Sequence, residues 1–465
     1  MSFHVFNTMS RALEPFKPLN GKSVRMYTCG PTVYNFAHIG NYRAYVFEDL
    51  LRRYLRFLGY QVNQVMNLTD VDDKTIRGSI EQGVSLTDFT KTYKDAFFED
   101  LKVLHIESAE HYPAATDHIG EMIKMIRILE EKGYAYRSDD GSVYFSINKF
   151  PEYGKLAHLD MSGLQAGARV DQDEYDKENL ADFALWKAWT EADGDVKWNS
   201  PWGLGRPGWH IECSAMSMKY LGESFDLHTG GVDNIFPHHE DEIAQSEAVT
   251  GKPFSRYWMH CAHLVVEGRK MSKSLGNFYT LREILEKGFS GREIRYVLLS
   301  THYRQRLNFS FDALNAARSA LQRLDEFRER VRKQASTTTS TSEPEWLEAS
   351  CRVFSAGLND DLNISKALGA LFDLVHEGNK ALDNHAVSPE EAAGVEHCLS
   401  HLDEVLGFLE PPEQALAPEL VALLEQRQQA RKDKDWSAAD RIRDELTAKG
   451  WMIKDTPDGP VLRHL

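Results

Sequence analysis

The chain has 465 residues, 42% of them apolar and 27% charged, which suits a soluble protein of about two to four domains and excludes wholesale disorder. The 54 Lys and Arg residues face 70 Asp and Glu, and a net charge of −16 argues against a non-specific nucleic-acid coat or a polybasic membrane binder, while leaving room for local basic patches. Cys29, Cys213, Cys261, Cys351 and Cys398 form no CxxC pair, and neither a signal-peptide layout nor an apolar run of bilayer length occurs, so a cytosolic protein without a disulfide framework is expected.

In chain order, residues 23–27 (SVRMY) predict a short buried strand, followed by the turn-rich TCGPTVYNFAHIGN. Phe47, Leu50, Leu51, Tyr54, Leu55 and Leu58 then mark one face of a helix, with Gly59 as its stop. A second strand is expected over 61–68. Strand, helix and strand in this span predict a βαβ unit and a parallel sheet. The glycine and histidine turn opens the helix, where open α/β sheets bind phosphates. Residues 114–208, with the acidic cluster DQDEYDKEN, read as an insertion. Strands return at 224–227 and 258–266, and a helix begins at Pro237.

After Arg292 the chain turns helical and basic, with Arg295, Arg304, Arg306, Arg318, Arg323, Arg328, Arg330 and Arg332. Residues 335–342 (ASTTTSTS) read as a polar linker. Helical periodicity, as in Ala367, Leu368, Leu371, Leu374 and Val375, runs to about 409, and Pro411, Pro412 and Pro418 introduce a C-terminal unit. The expected organisation is an α/β, Rossmann-like parallel-sheet catalytic domain in two halves (1–113 and 209–290) around a connective insertion (114–208). A basic helical region (291–333), an α-helical bundle domain (334–410) and a small C-terminal domain (411–465) follow.

Two strings carry chemistry. His38-Ile39-Gly40-Asn41 stands at the expected helix start, where a histidine alone is more often structural than catalytic. Lys270-Met271-Ser272-Lys273-Ser274, flanked by glycines, suits a mobile loop that brings ammonium groups onto phosphates, although a solvated loop would also accommodate two lysines. Together they resemble the HIGH and KMSKS signatures of class I aminoacyl-tRNA synthetases, with Asn41 in place of the second histidine. An asparagine amide still donates a hydrogen bond but carries no charge. The resemblance narrows to the cysteinyl-tRNA synthetase family through CGPTVYNFAHIG (29–40), NLTDVDDK (67–74), GRPGWHIECSAM (205–216), GGVDNIFPHHEDEIAQSEA (230–248), KMSKSLGNF (270–278) and LNDDLNISKALGALFDL (358–374).

That resemblance implies one zinc ion (Zn2+) held by Cys29, Cys213, His238 and Glu242. Spacing alone places only His238 and Glu242 on one helix face, with His210 and His239 as rival ligands nearby. A zinc with an open position would choose cysteine over serine by binding a thiolate, where an apolar pocket separates such near-isosteres by only about 1–3 kcal/mol. The resemblance further implies that Cys29, Thr69 and Trp209 line the amino-acid pocket. His38, Gly40 and Asn41 would hold ATP phosphates, Gly230 and Gly231 the adenosine, Asp233 its ribose, and Lys270 and Lys273 the pyrophosphate, with Mg2+ accompanying ATP. The implied reaction joins L-cysteine to the 3′-terminal adenosine of tRNA(Cys) through cysteinyl-adenylate, in a cytoplasmic, monomeric enzyme with no membrane partner.

The stretch 292–333 is a candidate tRNA contact, or a helical face paired with its own acids. Residues 427–454 carry eight Lys and Arg against five acids, and Arg427, Arg431, Trp436, Arg441 and Arg443 are candidate anticodon contacts. Trp451 is expected in a small core. The alternatives are a ligase joining cysteine to a small amine, which would lack the basic C-terminal end, and a non-catalytic tRNA-binding paralogue, which would lack the lysines or the metal ligands.

Overall fold

The segment SVRMYT alternates between the two faces of a sheet, and the computed structural model shows what each face meets. It describes residues 2–159, 169–170, 182–335, 341–411, 418–456 and 459–464, so the acidic cluster at 171–179 and most of the polar stretch at 335–342 lie outside the described residues. Contacts divide the chain into two units, Met1–Glu410 and Pro411–Leu465.

In the first unit, β1 (Ser23–Thr28) leads to α1 (Ile39–Phe57) and β2 (Gln61–Met66), and α2 (Asp73–Gln82) follows. The insertion contributes β3 (Asp182–Ala188) and β4 (Gly203–Pro207), an antiparallel pair, to a second sheet. Next come α3 (Trp209–Leu221), β5 (Phe225–Gly231), α4 (His238–Thr250) and β6 (Ser255–Cys261). The central sheet has the order β6-β5-β1-β2 and is parallel throughout. Its strands obey the period of two. Val24, Met26 and Met66 join a core with α1 and the later helices, while Tyr27, Cys29 and Val65 join a second core with α3, α4 and the insertion. The insertion is thus packed against the back of the sheet. Gly30 lets the chain after β1 pass the end of β2, because a side chain there would collide with the Asn67 carbonyl.

The expected strand over 258–266 is two strands. β6 ends at Cys261, and the Ala262 N–H donates to the Tyr303 carbonyl at 2.7 Å, which takes the chain out of the central sheet. β7 (Leu264–Val266) then pairs antiparallel with β8 (Arg269–Lys270), and in parallel with β9 (Leu307–Phe309). Between β8 and β9 lies α5 (Gly291–Leu299). The helices α6 (Phe311–Ala335), α7 (Glu345–Asn359), α8 (Ile364–Asp383) and α9 (Pro389–Leu406) complete the unit. Ala367, Leu368, Leu371, Leu374 and Val375 form the buried stripe of α8. Among the described residues no helix is long and apolar enough to cross a membrane.

The arginine-rich stretch is mostly satisfied internally. Arg292 pairs with Asp325 (2.7 Å), Arg304 with Asp361 (2.6 Å), Arg318 with Glu293 (2.6 Å), Arg328 with Glu396 (2.8 Å), Arg330 with Asp383 (2.5 Å) and Arg332 with Glu410 (2.7 Å). Arg323 lies over the Phe372 ring. Arg295 of α5 is fully buried. It donates to Asp49 of α1 (2.5 Å) and to the carbonyls of Leu406 (2.8 Å), Leu104 (3.0 Å) and His105 (3.2 Å), tying three parts of the fold to one guanidinium.

The second unit holds α10 (Pro418–Lys432), α11 (Trp436–Ala448) and the antiparallel pair β10 (Trp451–Thr456) and β11 (Gly459–His464). Leu420, Leu446 and Leu462 are its buried core, with Trp451 packed against them, while Trp436 is 60% exposed.

Asp49→Asn leaves the Arg295 guanidinium buried without its counter-charge. Urea unfolding is expected to show a loss of about 3–5 kcal/mol. Asp383→Asn, at the exposed Arg330 pair, should cost no more than about 1 kcal/mol.

Candidate active site

A cavity of about 850 Å³ opens where the sheet reverses its strand order, at the carboxyl ends of β1, β5 and β6. Cys29 and Gly30 enter it from β1, Gly231 from β5 and Cys261 from β6. The starts of three helices close it: His38 and Gly40 at α1, Trp209 at α3 and His238 at α4. Asp233, Lys270 and Met271 also line it.

The start of α1 is a capping box. The Asn41 N–H donates to His38 Nδ1 (3.2 Å), and the His38 N–H donates to Asn41 Oδ1 (3.1 Å). Asn41 therefore has a local structural task at the last signature position. A Cβ on Gly40 would lie 2.9 Å from His38 Nδ1 and 3.1 Å from Met271 Cε, so the loop bearing Lys270 packs directly on this helix start. Lys270 is exposed at the cavity. Lys273 opens a short turn (Lys273–Leu275), and its side chain lies outside the described residues.

Behind the cavity, the ligand atoms of Cys29, Cys213 (α3), His238 and Glu242 (both α4) all lie within 4.8 Å of one another, and all four residues are buried. His238 Nε2 is 3.1 Å from Glu242 Oε1, and Trp209 stacks on the His238 ring at 4.1 Å. Burial raises the Cys29 thiol. Burial also opposes ionisation of Cys213, but hydrogen bonding to Cys29 and His238 brings that thiol down to about 6. Glu242 is desolvated, yet His228 and His238 hold it down to about 2. His238, despite its burial, is raised to about 10 by Cys213 and Glu242.

The rival histidines take distinct places. His210 faces His238 (Nδ1 to Nδ1, 2.9 Å) and Asp241 (3.2 Å), outside the ligand cluster. His239 and His228 form a second possible set with Cys29 and Glu242. Its histidines do not reach the cavity, whereas His238 does. His228 was not singled out from sequence. The available signal is a histidine at the centre of the buried strand FDLHTGG.

Two expected site residues stand back from the cavity. Thr69 is buried behind it, bonded to Pro31 and Val33 through its backbone, and it accepts a hydrogen bond from Asn67, which does line the cavity. Gly230 permits a close approach, but the groups it admits are the Asn234 amide and the His239 ring, each 2.9 Å from where a Cβ would stand. Asn67, Cys261, His263, Phe278 and Arg306 line the cavity without having been expected there. In the second unit Arg427 is buried, Arg443 pairs with Asp440 (2.9 Å), and Arg431, Arg441 and Trp436 are exposed.

Glu48 of α1 is fully buried beside the site, with Oε1 accepting from Thr229 (3.0 Å) and no partner for Oε2 among the described residues. Burial pushes its carboxyl up to about 8, against the pull of the Thr229 hydrogen bond. The folded state therefore holds this proton more tightly than the unfolded chain. Its stabilisation is complete below the ordinary carboxylate range and is lost as pH rises through about 8. The denaturation midpoint is expected to fall between pH 5 and pH 8, and Glu48→Gln should remove that part of the fall, as measured by urea titration at each pH.

The fold and this site define a class I aminoacyl-tRNA synthetase. A family model for class I (C) tRNA synthetase catalytic domains matches residues 15–319, a DALR domain model matches 353–410, and a model for the cysteinyl-tRNA ligase anticodon binding domain matches 413–461. Methionyl-tRNA synthetase of Mycobacterium tuberculosis, in complex with methionyl-adenylate, shares the fold at a TM-score of 0.63 and 15% identity, over 87% of this chain and 94% of that one. The cysteine–tRNA ligase of Protochlamydia amoebophila is 53% identical over 99% of this chain and 97% of its own length. That of Brachyspira hyodysenteriae is 52% identical over 98% of each. The chain belongs to the cysteinyl-tRNA synthetase family.

Proposed function

We propose that the chain activates L-cysteine with ATP to cysteinyl-adenylate, releasing pyrophosphate, and transfers the cysteine to the 3′-terminal adenosine of tRNA(Cys). The observation that carries this reading is the buried quartet Cys29, Cys213, His238 and Glu242, two of whose members border the same cavity as the His38 helix start and the Lys270 loop. Two sulfurs, one imidazole and one carboxylate within 4.8 Å are a donor set that would hold a zinc ion. The set containing His228 and His239 is the weaker fit to substrate selection, because only its Cys29 borders the cavity. When bound, zinc supplies a position for the substrate thiolate that a serine hydroxyl, being largely protonated, fills poorly.

The chain's own residues do the rest. Trp209, stacked on His238, fixes that ring and walls the amino-acid side of the cavity. The cysteine carboxylate attacks the α-phosphate while backbone and side-chain donors at the start of α1, around His38, Gly40 and Asn41, receive phosphate oxygens. Lys270 and Lys273 offset charge that builds on the leaving pyrophosphate, and Mg2+ accompanies ATP. Gly231 and Asp233 border the adenosine. The terminal ribose hydroxyl of the tRNA then attacks the adenylate carbonyl. In the C-terminal unit, exposed Trp436, Arg431 and Arg441 are the surface offered to anticodon bases, and that unit favours tRNA over a small amine as acceptor.

Removing an outer partner of a metal ligand costs about 10–100-fold. Cys213→Ser, which changes a ligand itself, is therefore expected to lose bound zinc by metal analysis and at least about 100-fold of cysteine-dependent ATP–pyrophosphate exchange. The parent should exchange with cysteine and not with serine, and equal exchange with both would sink the selection argument. A chain ending at Glu410 should still form adenylate but charge tRNA at least about tenfold more slowly, the loss expected from removing about 1.4 kcal/mol or more of binding. Unchanged charging would remove the anticodon role from the second unit.

A further inference from the structure

Arg306 is the exception in the arginine-rich stretch. Its neighbours from Arg292 to Arg332 have acidic partners or, for Arg323, a ring beneath them. Arg306 has neither among the described residues, is exposed, and lines the cavity. In a chain of net charge −16, a guanidinium without a carboxylate at the wall of a cavity is matched to an anion from outside.

Its position follows from the small sheet. Arg306 immediately precedes β9, which pairs in parallel with β7 through Leu264 and Leu307. On the other edge of β7, Lys270 of β8 pairs with Val265. The two cations therefore flank one strand, two inter-strand spacings and about two residues apart. That puts their Cα atoms about 12 Å from each other, a gap that a polyphosphate and two long side chains fill. Both line the cavity that the start of α1 also borders, and Met271, next to Lys270, packs on that helix start. Among the residues lining the cavity the one carboxylate is Asp233, against Lys74, Lys270 and Arg306. The planar guanidinium matches two phosphate oxygens at once, which a lysine does not.

We propose that Arg306 binds the triphosphate of ATP, closing on it with Lys270 from opposite sides of β7, and holds the pyrophosphate as it leaves. This rests on the function proposed above. The phosphodiester of an incoming RNA end is the competing anion. The triphosphate is favoured because Arg306 shares its small sheet with Lys270, and the strand next to Met271 abuts the helix start suited to phosphates.

The test is Arg306→Gln, with Arg306→Lys beside it. Arg306 is exposed, so the thermal midpoint of either variant should stay with that of the parent. In cysteine-dependent ATP–pyrophosphate exchange, Arg306→Gln should raise the KM for ATP about 10- to 150-fold, the worth of one charge-assisted hydrogen bond. The KM for pyrophosphate in the reverse direction should rise in parallel, the KM for tRNA in charging should stay within about twofold, and Arg306→Lys should recover most of the loss. An unchanged KM for ATP would overturn the proposal. So would a raised KM for tRNA with ATP unaffected, which would assign Arg306 to the RNA backbone. Equilibrium dialysis with ATP alone needs no turnover and separates the two readings. If the parent binds ATP in an Arg306-dependent way but shows no cysteine-dependent exchange, the proposed function fails and the phosphate site stands. If Arg306→Gln binds ATP like the parent, the phosphate site fails whatever the reaction.

Discussion

Charge taken out of water has to be answered inside the protein, and the space between the parallel sheet and α3 and α4 is arranged around that requirement. α4 reads HHEDEIAQSEAVT, with no apolar stripe, yet His238 through Ser246 are buried. Its carboxylates are met by partners, while Gln245 Oε1 and Ser246 Oγ have none among the described residues. Glu242 faces His228 and His238, Tyr153 donates to Asp241, and Glu240 accepts the N–H groups of Gly154, Leu156 and Ala157. The last three contacts tie the insertion to the helix that carries two of the four proposed ligands. The insertion is thereby part of what fixes the site, as well as the cover for the back of the sheet. Burial without these partners would be prohibitive for a helix of this composition.

The βαβ unit was legible because its signals are local. The apolar stripe of α1 repeats every three or four residues, and the strands on either side alternate. The site was legible only in part, because its proposed ligands lie at positions 29, 213, 238 and 242 on three separate elements, and no spacing rule joins them. A polar helix such as α4 normally reads as solvent-exposed, so periodicity points away from its actual place. The stretch over 258–266 looks like one strand because the break at Ala262 and His263 is made by a hydrogen bond to Tyr303, forty residues away in sequence and invisible in the local pattern. Glycine at position 230 signals a close approach but cannot name the group that approaches.

The basic stretch shows the same limit from another side. Arginine count alone could not separate tRNA contact from internal pairing, because Asp49, Asp361 and Glu396 come from distant segments. Arg295 is the extreme case, a cation used as a structural pin between α1, α5 and the end of α9. The second unit had clearer local signals. Its prolines and its basic balance set it apart, and its two tryptophans divide between a small core and the surface.

The capping box at the start of α1 bears on proton placement. The Asn41 N–H, shared with the His38 carbonyl at 2.9 Å, also points at His38 Nδ1, which favours the tautomer whose ring proton is on Nε2. In this tautomer the imidazole gives a hydrogen bond through Nε2 and cannot accept a proton there. The Asn41 carbonyl is likewise occupied by the His38 N–H, which leaves its amide hydrogens as the group's remaining polar offering. Both ends of the HIGN string are thus neutral donors, suited to holding an oxyanion and unsuited to abstracting a proton.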